Sequence, residues 1–442
     1  MPSAFQQPAW IFNTNIYEVN MRQYTPEGTI NAFIHHLPRL RNMGVETLWF
    51  MPLTPIAMQE RKGTLGSYYA CSDYTAINPE FGNSYDFKSL VIKAHELGFK
   101  IIIDWVANHT GWDHVWTHQH PEWYKKEADG NFKRPAGMED IIELDFSNTN
   151  LRKGMIEAMH FWVKEYDIDG FRCDLANWVE LSFWKEARSA LEKSKQLFWF
   201  GEMDLIQNPG YMQVFDAAYT FTWMHKTEEY YKKSLPFGEL LDVLHQYDDV
   251  ANNNSIPVWF TSNHDENSWN GTEYEKYGDM AKLLAVFSCT WKGIPLIYSG
   301  QELPNNKRLR FFEKDEIEWT GKNDPIPIAP PAGRAGIGLH DFYKTLLGLH
   351  SYHNKWKQGD TGTNIIQLKT GVEEKVLAYL RKNGNKELLV ILNFSREKMQ
   401  FQIRDDRLNG KFRNVFTSEV SEFSMDSEFN LGAWEYRVFE TC

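Results

Sequence analysis

The stretch LRKGMIEAMHFWVKEYDIDGFRCDLANW, residues 151–178, changes period part way along. Its first part has the apolar spacing of a helix. From Gly170 it becomes a short apolar strand whose far tip carries Arg172 and Asp174. Side chains alternate along a strand, so these two opposite charges point to the same face. A helix feeding a buried strand with charges at its end is one unit of a repeat.

The unit recurs on both sides. TINAFIHHLPRLRNMG (29–44) places Ile30, Phe33, Ile34, Leu37 and Leu40 at helical spacing, stops at Gly44 and feeds VETLWFMPL (45–53). FKSLVIKAHELG (87–98) feeds FKIIIDWVANH (99–109), and LFWFGEM, VFDAAYTFTW, PVWFTSNHD and IPLIYSGQE continue the series. Trp10–Val19 already reads as a strand, and with Asn15–Tyr24 included the count reaches about eight. Near-continuous apolar strands alternating with helices imply a parallel sheet buried on both faces, and this number of units closes into a TIM barrel. Two stretches depart from the repeat. Some forty Trp-rich residues separate Asn108 from Asn150, a length that marks a functional loop or a small subdomain. After about Lys355 the period becomes two, in VLAYLR, a KNGNKE turn, LLVILNF, MQFQI and EYRVF, which predicts a separate antiparallel β domain.

Composition bounds the function. A formal charge of −12 argues against nucleic acid, because phosphate binding needs a clustered basic face. No apolar run is long enough to span a bilayer, so no membrane partner is expected. Cys71, Cys173, Cys289 and Cys442 are widely spaced without a CxxC pair and imply neither a disulfide framework nor a zinc site. The N-terminus lacks a basic start followed by an apolar run. The expected location is therefore cytoplasmic, or secreted or periplasmic if a leader has been trimmed. Aromatic residues reach 15%; such rings usually fill cores, and rings on loops also suit the flat apolar faces of sugars.

Side chains at the C-terminal ends of barrel strands converge on one mouth. Four strand ends carry dense polar clusters: Asp104, Asn108 and His109 in DWVANH; Arg172 and Asp174 in GFRCD; Glu202 in GEMD; Asn263, His264 and Asp265 in SNHDEN. One such Asp would be an ordinary helix cap or ion-pair partner. Four clusters at four strand ends point to a carboxylate-based active site. These segments resemble, in order and spacing, the four short motifs of the α-amylase family, glycoside hydrolase family 13. GVETLWFMPLTP, YACSDYTAINPEFG, GIPLIYSGQE and the C-terminal β region extend the resemblance over nearly the whole chain.

The resemblance implies a (β/α)8 barrel of residues 1–109 and 149–354, a subdomain inserted after strand 3 (110–148), and a C-terminal β-sandwich (355–442). It assigns the nucleophile to Asp174, the general acid to Glu202, and the third carboxylate, which binds ring hydroxyls, to Asp265. His109 and His264 match sugar-binding histidines, Tyr69 the stacking ring, Arg172 the partner of the nucleophile, and Asp104 a supporting residue. The expected activity is retaining hydrolysis of α-1,4-glucosidic bonds in starch-like glucans or maltooligosaccharides by a monomer. α-Glucosidases and glucanotransferases share the trio, and catalytically silent relatives lack parts of it. Three departures stand out. Ser67-Tyr68-Tyr69 replaces a Gly-containing loop, so that Tyr68 competes with Tyr69. Asn177 and Trp178 replace a Lys-His pair, and MRQYTPEGT lacks an Asp-rich calcium loop. Asn108 and Glu143 fall where relatives bind Ca2+, so calcium is a candidate ligand, and no cofactor is expected to be required.

Overall fold

In the computed structural model, which describes residues 5–233, 235–251, 255–303, 305–319, 338–353, 365–383 and 386–442, the repeat closes on itself. Among the described residues, eight parallel strands form a barrel: β1 (Ile16–Val19), β2 (Thr47–Phe50), β3 (Lys100–Trp105), β4 (Gly170–Cys173), β5 (Phe198–Asp204), β6 (Ala217–Tyr219), β7 (Ile256–Trp259) and β8 (Ile294–Tyr298). Each pairs with its sequence neighbours, and β8 returns to β1.

Period two along these strands sorts the side chains. Tyr17, Leu48, Ile101, Ile103 and Phe171 pack outward in the core shared with the helices. Ile16, Trp49, Ile102, Phe198, Phe200 and Leu296 fill the barrel interior. Two residues further along β1, β3, β4 and β5, the inward parity that carries Ile16, Ile102, Gly170 and Phe200 delivers Glu18, Asp104, Arg172 and Glu202. An apolar layer therefore lies under a charged one at the C-terminal mouth. Gly170 belongs to the lower layer, where a Cβ would clash with the Phe198 carbonyl oxygen.

The helices end as their sequences dictate. Gly44 closes the helix Leu37–Met43 with φ 98°, and Asn83 and Asp86 form a capping box at the start of Ser84–Glu96. Asn148 caps the long helix Thr149–Tyr166. The first expected strand is shorter than its apolar run. Ala9–Asn13 is a 3-10 turn whose Ile11 and Phe12 plug the barrel floor, and a plug is apolar all round without being a strand. At Asn20 the chain leaves the sheet, its amide bonds the Gln23 side chain at 3.0 Å, and Met21–Tyr24 is helical. The 29–44 segment likewise breaks into two helices, Ile30–Ile34 and Leu37–Met43.

After β3 the chain enters the insertion, where His109–Gly111 pairs antiparallel with Ile141–Glu143. The C-terminal region has one antiparallel sheet, in the order 365–367, 376–383, 386–393, 436–441, 410–414 and 420–423, and a second of Met399–Ile403 with Ser427–Leu431. Phe401, Phe412, Phe423, Phe429 and Phe439 share the core of this region. It docks on the barrel through Arg381, whose Nη1 donates to the carbonyls of Thr290 (2.9 Å) and Trp291 (3.2 Å). The expected boundary at residue 354 and the tip of the KNGNKE turn lie outside the described residues. Among those residues, no helix is long and apolar enough to cross a membrane.

Candidate active site

Strand register brings the first pair together: Asp104 on β3 stands opposite Arg172 on β4. The buried Arg172 guanidinium then gathers three carboxylates. Its Nη1 donates to Asp104 Oδ1 and Oδ2 (2.9 and 3.2 Å) and to Asp174 Oδ1 (3.2 Å), and its Nη2 lies 2.7 Å from Glu202 Oε1. The last contact is an ion pair whose N–H is not aligned for a hydrogen bond. Glu202 reaches the cluster on the inward parity of Phe200, within the irregular stretch of β5 between Gly201 and Asp204. Its Oε2 accepts from the amide of Leu175 (2.8 Å), a non-glycine residue held at φ 42° in the turn after Asp174. Strain of this kind collects at functional sites. The second oxygen of Asp174 is buried without a hydrogen-bond partner.

A second web runs through His264. Its Nδ1 lies 2.5 Å from Glu18 Oε1, and its Nε2 lies 3.2 Å from Asp265 Oδ2 and 2.8 Å from the Tyr69 hydroxyl. Tyr69 has a single proton and gives it to Asp104 Oδ2 at 2.9 Å. The imidazole is therefore the donor to Tyr69, and with Nδ1 facing a carboxylate both ring nitrogens carry protons. Glu18 was not singled out by motif. Its signal was an acidic residue inside the wholly buried strand β1, on the parity of Ile16.

The charges respond to this packing. Burial, then the charge of Glu202, pushes the Asp174 carboxyl well above the usual range, against the pull of Arg172. Arg172 alone would favour an ionised Asp174, and here desolvation outweighs it. Burial would lower the His264 pKa, but Asp265 and Glu18 overturn it and hold the ring well above 6.5. Burial would also raise Asp265, yet His264 holds it below 3.8. With 43% of the Asp265 side chain accessible, the neighbouring charge decides. His109 is pushed down to about 4 by burial, with Glu143 opposing.

Asp174, Glu202 and Asp265 meet at a cavity of about 300 Å³ that Tyr69 and His109 also line. The Tyr69 ring lies 19° from the plane of His264 at 5.4 Å. Tyr68 points away and packs under Arg22, 4.3 Å from ring to guanidinium. Asn177 donates to Asn208 Oδ1 at 3.3 Å, and Trp178 is 49% exposed.

The two metal candidates lie together and are engaged by protein groups. The Asn108 carbonyl accepts from the Leu144 amide (3.0 Å), and the Asn108 side chain contacts His109 Nδ1 at 3.3 Å. The Glu143 carboxylate is already held by Lys125 (3.0 Å) and Lys133 (3.3 Å), and against the effect of burial these two ammonium groups keep it below 4.5. A hard dication needs several free oxygens, and here two ammonium groups occupy the only carboxylate of the pair. Among the described residues, no three His, Cys, Asp or Glu side chains group to hold a metal.

Comparison with known proteins adds the last observations. The alpha-amylase catalytic-domain family matches residues 10–134 and 117–325, and the alpha-amylase SusG C-terminal domain family matches 376–438. A cyclomaltodextrinase from Geobacillus thermopakistaniensis is 24% identical over 96% of this chain and 76% of its own. An intracellular maltogenic amylase from Bacillus subtilis is 23% identical over 86% and 70%. Among solved structures, a noncanonic maltogenic alpha-amylase from Thermotoga neapolitana superposes with a TM-score of 0.85 at 28% identity, covering 98% of this chain and 99% of that one.

Proposed function

The chain belongs to the α-amylase family of glycoside hydrolases, and from that premise we propose that it hydrolyses α-1,4-glucosidic bonds in starch-like glucans and maltooligosaccharides with retention, through Asp174 and Glu202. The observation that carries this reading is the single Arg172 guanidinium holding Asp174 at 3.2 Å and Glu202 at 2.7 Å on adjacent nitrogens beside Asp265. Carboxylates that share one guanidinium suit the close spacing of a retaining pair, roughly 5 to 5.5 Å. The α-glucan class is supported by relatives named for cyclomaltodextrin and maltose.

The chemistry follows from which oxygens are free. Asp174 Oδ1 is fixed by Arg172, and the unpartnered Oδ2 attacks the anomeric carbon. The bond from that carbon to the glycosidic oxygen breaks as Glu202, acting as general acid, gives a proton to the leaving oxygen. Water then enters, gives its proton to Glu202 and displaces Asp174 from the same carbon, so two inversions restore the α configuration. Asp265, held by the imidazolium of His264, takes ring hydroxyls, and Tyr69 supplies the apolar face beneath the sugar.

Proton NMR of early maltotriose hydrolysis should show the α-anomer first, and β-anomer first overturns the mechanism. Asp174→Asn should abolish turnover. Glu202→Gln should slow natural substrates far more than substrates with activated leaving groups, and equal losses on both refute the acid assignment.

A further inference from the structure

The loop after β2 crosses the mouth and is fastened at both ends. On one side Lys62 Nζ pairs with Glu139 and Asp140 of the insertion (3.1 Å each) and donates to the Gly137 carbonyl (3.1 Å). The amides of Met58 and Gln59 bind Asp113 of the same insertion (2.9 and 3.2 Å). On the other side, the Leu65 amide donates to the Phe312 carbonyl (3.1 Å) and the Thr64 amide to Glu313 (3.1 Å) in the loop after β8. Gly63, at φ 63°, sits where a Cβ would collide with Phe312.

From there the wall runs on to the loop after β7. Leu309 donates to Asn267 Oδ1 (2.8 Å), and the ring of Trp269 lies 5.5 Å from Phe311 and 5.7 Å from Phe312. Trp269 is 53% exposed, four residues past Asp265 in a π-helical turn. Phe311 stacks in turn on Tyr69 at 6.2 Å and 22°. Loops after four strands thus form a contiguous arc, and Lys62, Asp140, Trp269 and Phe312 from it all line the cavity.

The acid orients the substrate on this arc. Glu202 stands on β5, away from the walled loops, with Leu175 and the β4 turn beside it. Its proton goes to the leaving oxygen, so the leaving sugar lies toward β4 and β5, and the sugar that bonds to Asp174 lies against the wall. At about 300 Å³ the cavity equals on the order of ten waters, room for about one or two sugar rings.

We propose that the Lys62 loop closes the glycone side into a blind pocket, so that the enzyme engages non-reducing chain ends and releases short products instead of cutting within polymers. Lys62 is the specificity-determining residue that ties the insertion to the wall. This rests on the hydrolase reading above.

The test compares maltoheptaose with maltoheptaose blocked by an acetal at its non-reducing end. The wild type should hydrolyse the free sugar at least fifty-fold faster. In Lys62→Met the blocked-to-free rate ratio should rise several-fold, and so should activity on soluble starch relative to maltotriose. Equal wild-type rates on blocked and free sugar overturn the blind pocket while leaving the hydrolase reading intact. Failure to hydrolyse either sugar overturns both. Should Lys62→Met not fold, Trp269→Ala replaces it, and an unchanged blocked-to-free ratio in a folded variant shows that the wall does not set the cleavage position.

Discussion

Replacing Glu18 by Gln keeps its shape and removes one buried charge, which makes it a sensitive probe of the His264 web. The amide oxygen still accepts from His264 Nδ1, now 2.5 Å from the carboxylate, so the ring stays in place. What is lost is the difference between a charge-assisted and a neutral hydrogen bond. A hydrogen bond to a charged group contributes roughly 1.5–3 kcal/mol and a neutral one roughly 0.5–1.5 kcal/mol, a difference of about 1–1.5 kcal/mol. At about 1.4 kcal/mol per pKa unit, the His264 pKa should fall by about 1 unit. The groups facing the ring are Glu18 from β1, Asp265 on its own loop, and Tyr69 from the loop after β2, with Asp104 and Arg172 behind Tyr69. Only the first changes.

The sign follows from the raised pKa. Folding lifts His264 above 6.5, so its pairing contributes stability that is complete below pH 6.5 and is lost as pH rises through the raised value. In Glu18→Gln that loss begins sooner. The assay is kcat/KM on maltotriose from pH 4.5 to 10, alongside thermal melts over the same range. The alkaline limb should move down by about 1 unit while activity near pH 5.5 is largely kept, and Glu18→Asp should restore the limb only in part. A uniform fall at every pH, with the alkaline limb unmoved, refutes the charge argument and leaves Glu18 a packing residue.

Two further outcomes are expected. Arg172→Met strands Asp104, Asp174 and Glu202 without their shared cation and should cost about 3–5 kcal/mol in urea unfolding at pH 7; a loss below 1 kcal/mol means the carboxylates are relieved elsewhere. Because two ammonium groups already hold Glu143, exhaustive EDTA treatment should leave activity and Tm of the wild type nearly unchanged. The double variant Lys125→Met and Lys133→Met should melt lower and gain Tm on adding calcium, whereas near-complete activity loss in EDTA, restored only by calcium, refutes this.

The barrel was legible because its signal is local and repeated. Each helix-strand unit carries its own period, and Gly44 and Asn83 punctuate it within a few residues. The errors fall where an apolar run answers to something other than a sheet. Ile11 and Phe12 are apolar because they plug the barrel floor, and Met21–Tyr24, which includes Arg22 and Gln23, is a short buried helix after β1. Periodicity over so few residues does not distinguish a plug from a strand.

The site was legible to the extent that its residues sit at strand ends. Asp104, Arg172, Asp174 and Glu202 are brought together by register and parity, which sequence carries, whereas the strength of each charge is set by burial, which it does not. Arg172 beside Asp174 suggested a stabilised carboxylate, and only the packed site reveals that desolvation and Glu202 outweigh one guanidinium divided among three acids. The wall lies at the far limit of legibility. Thr64 meets Glu313 across 249 residues of chain, and Lys62 meets Asp140 across a separate subdomain, in loops without period or motif. Chemistry is therefore written at strand ends in short recurring patterns, while the wall around that chemistry rests on contacts among loops that only the folded chain assembles.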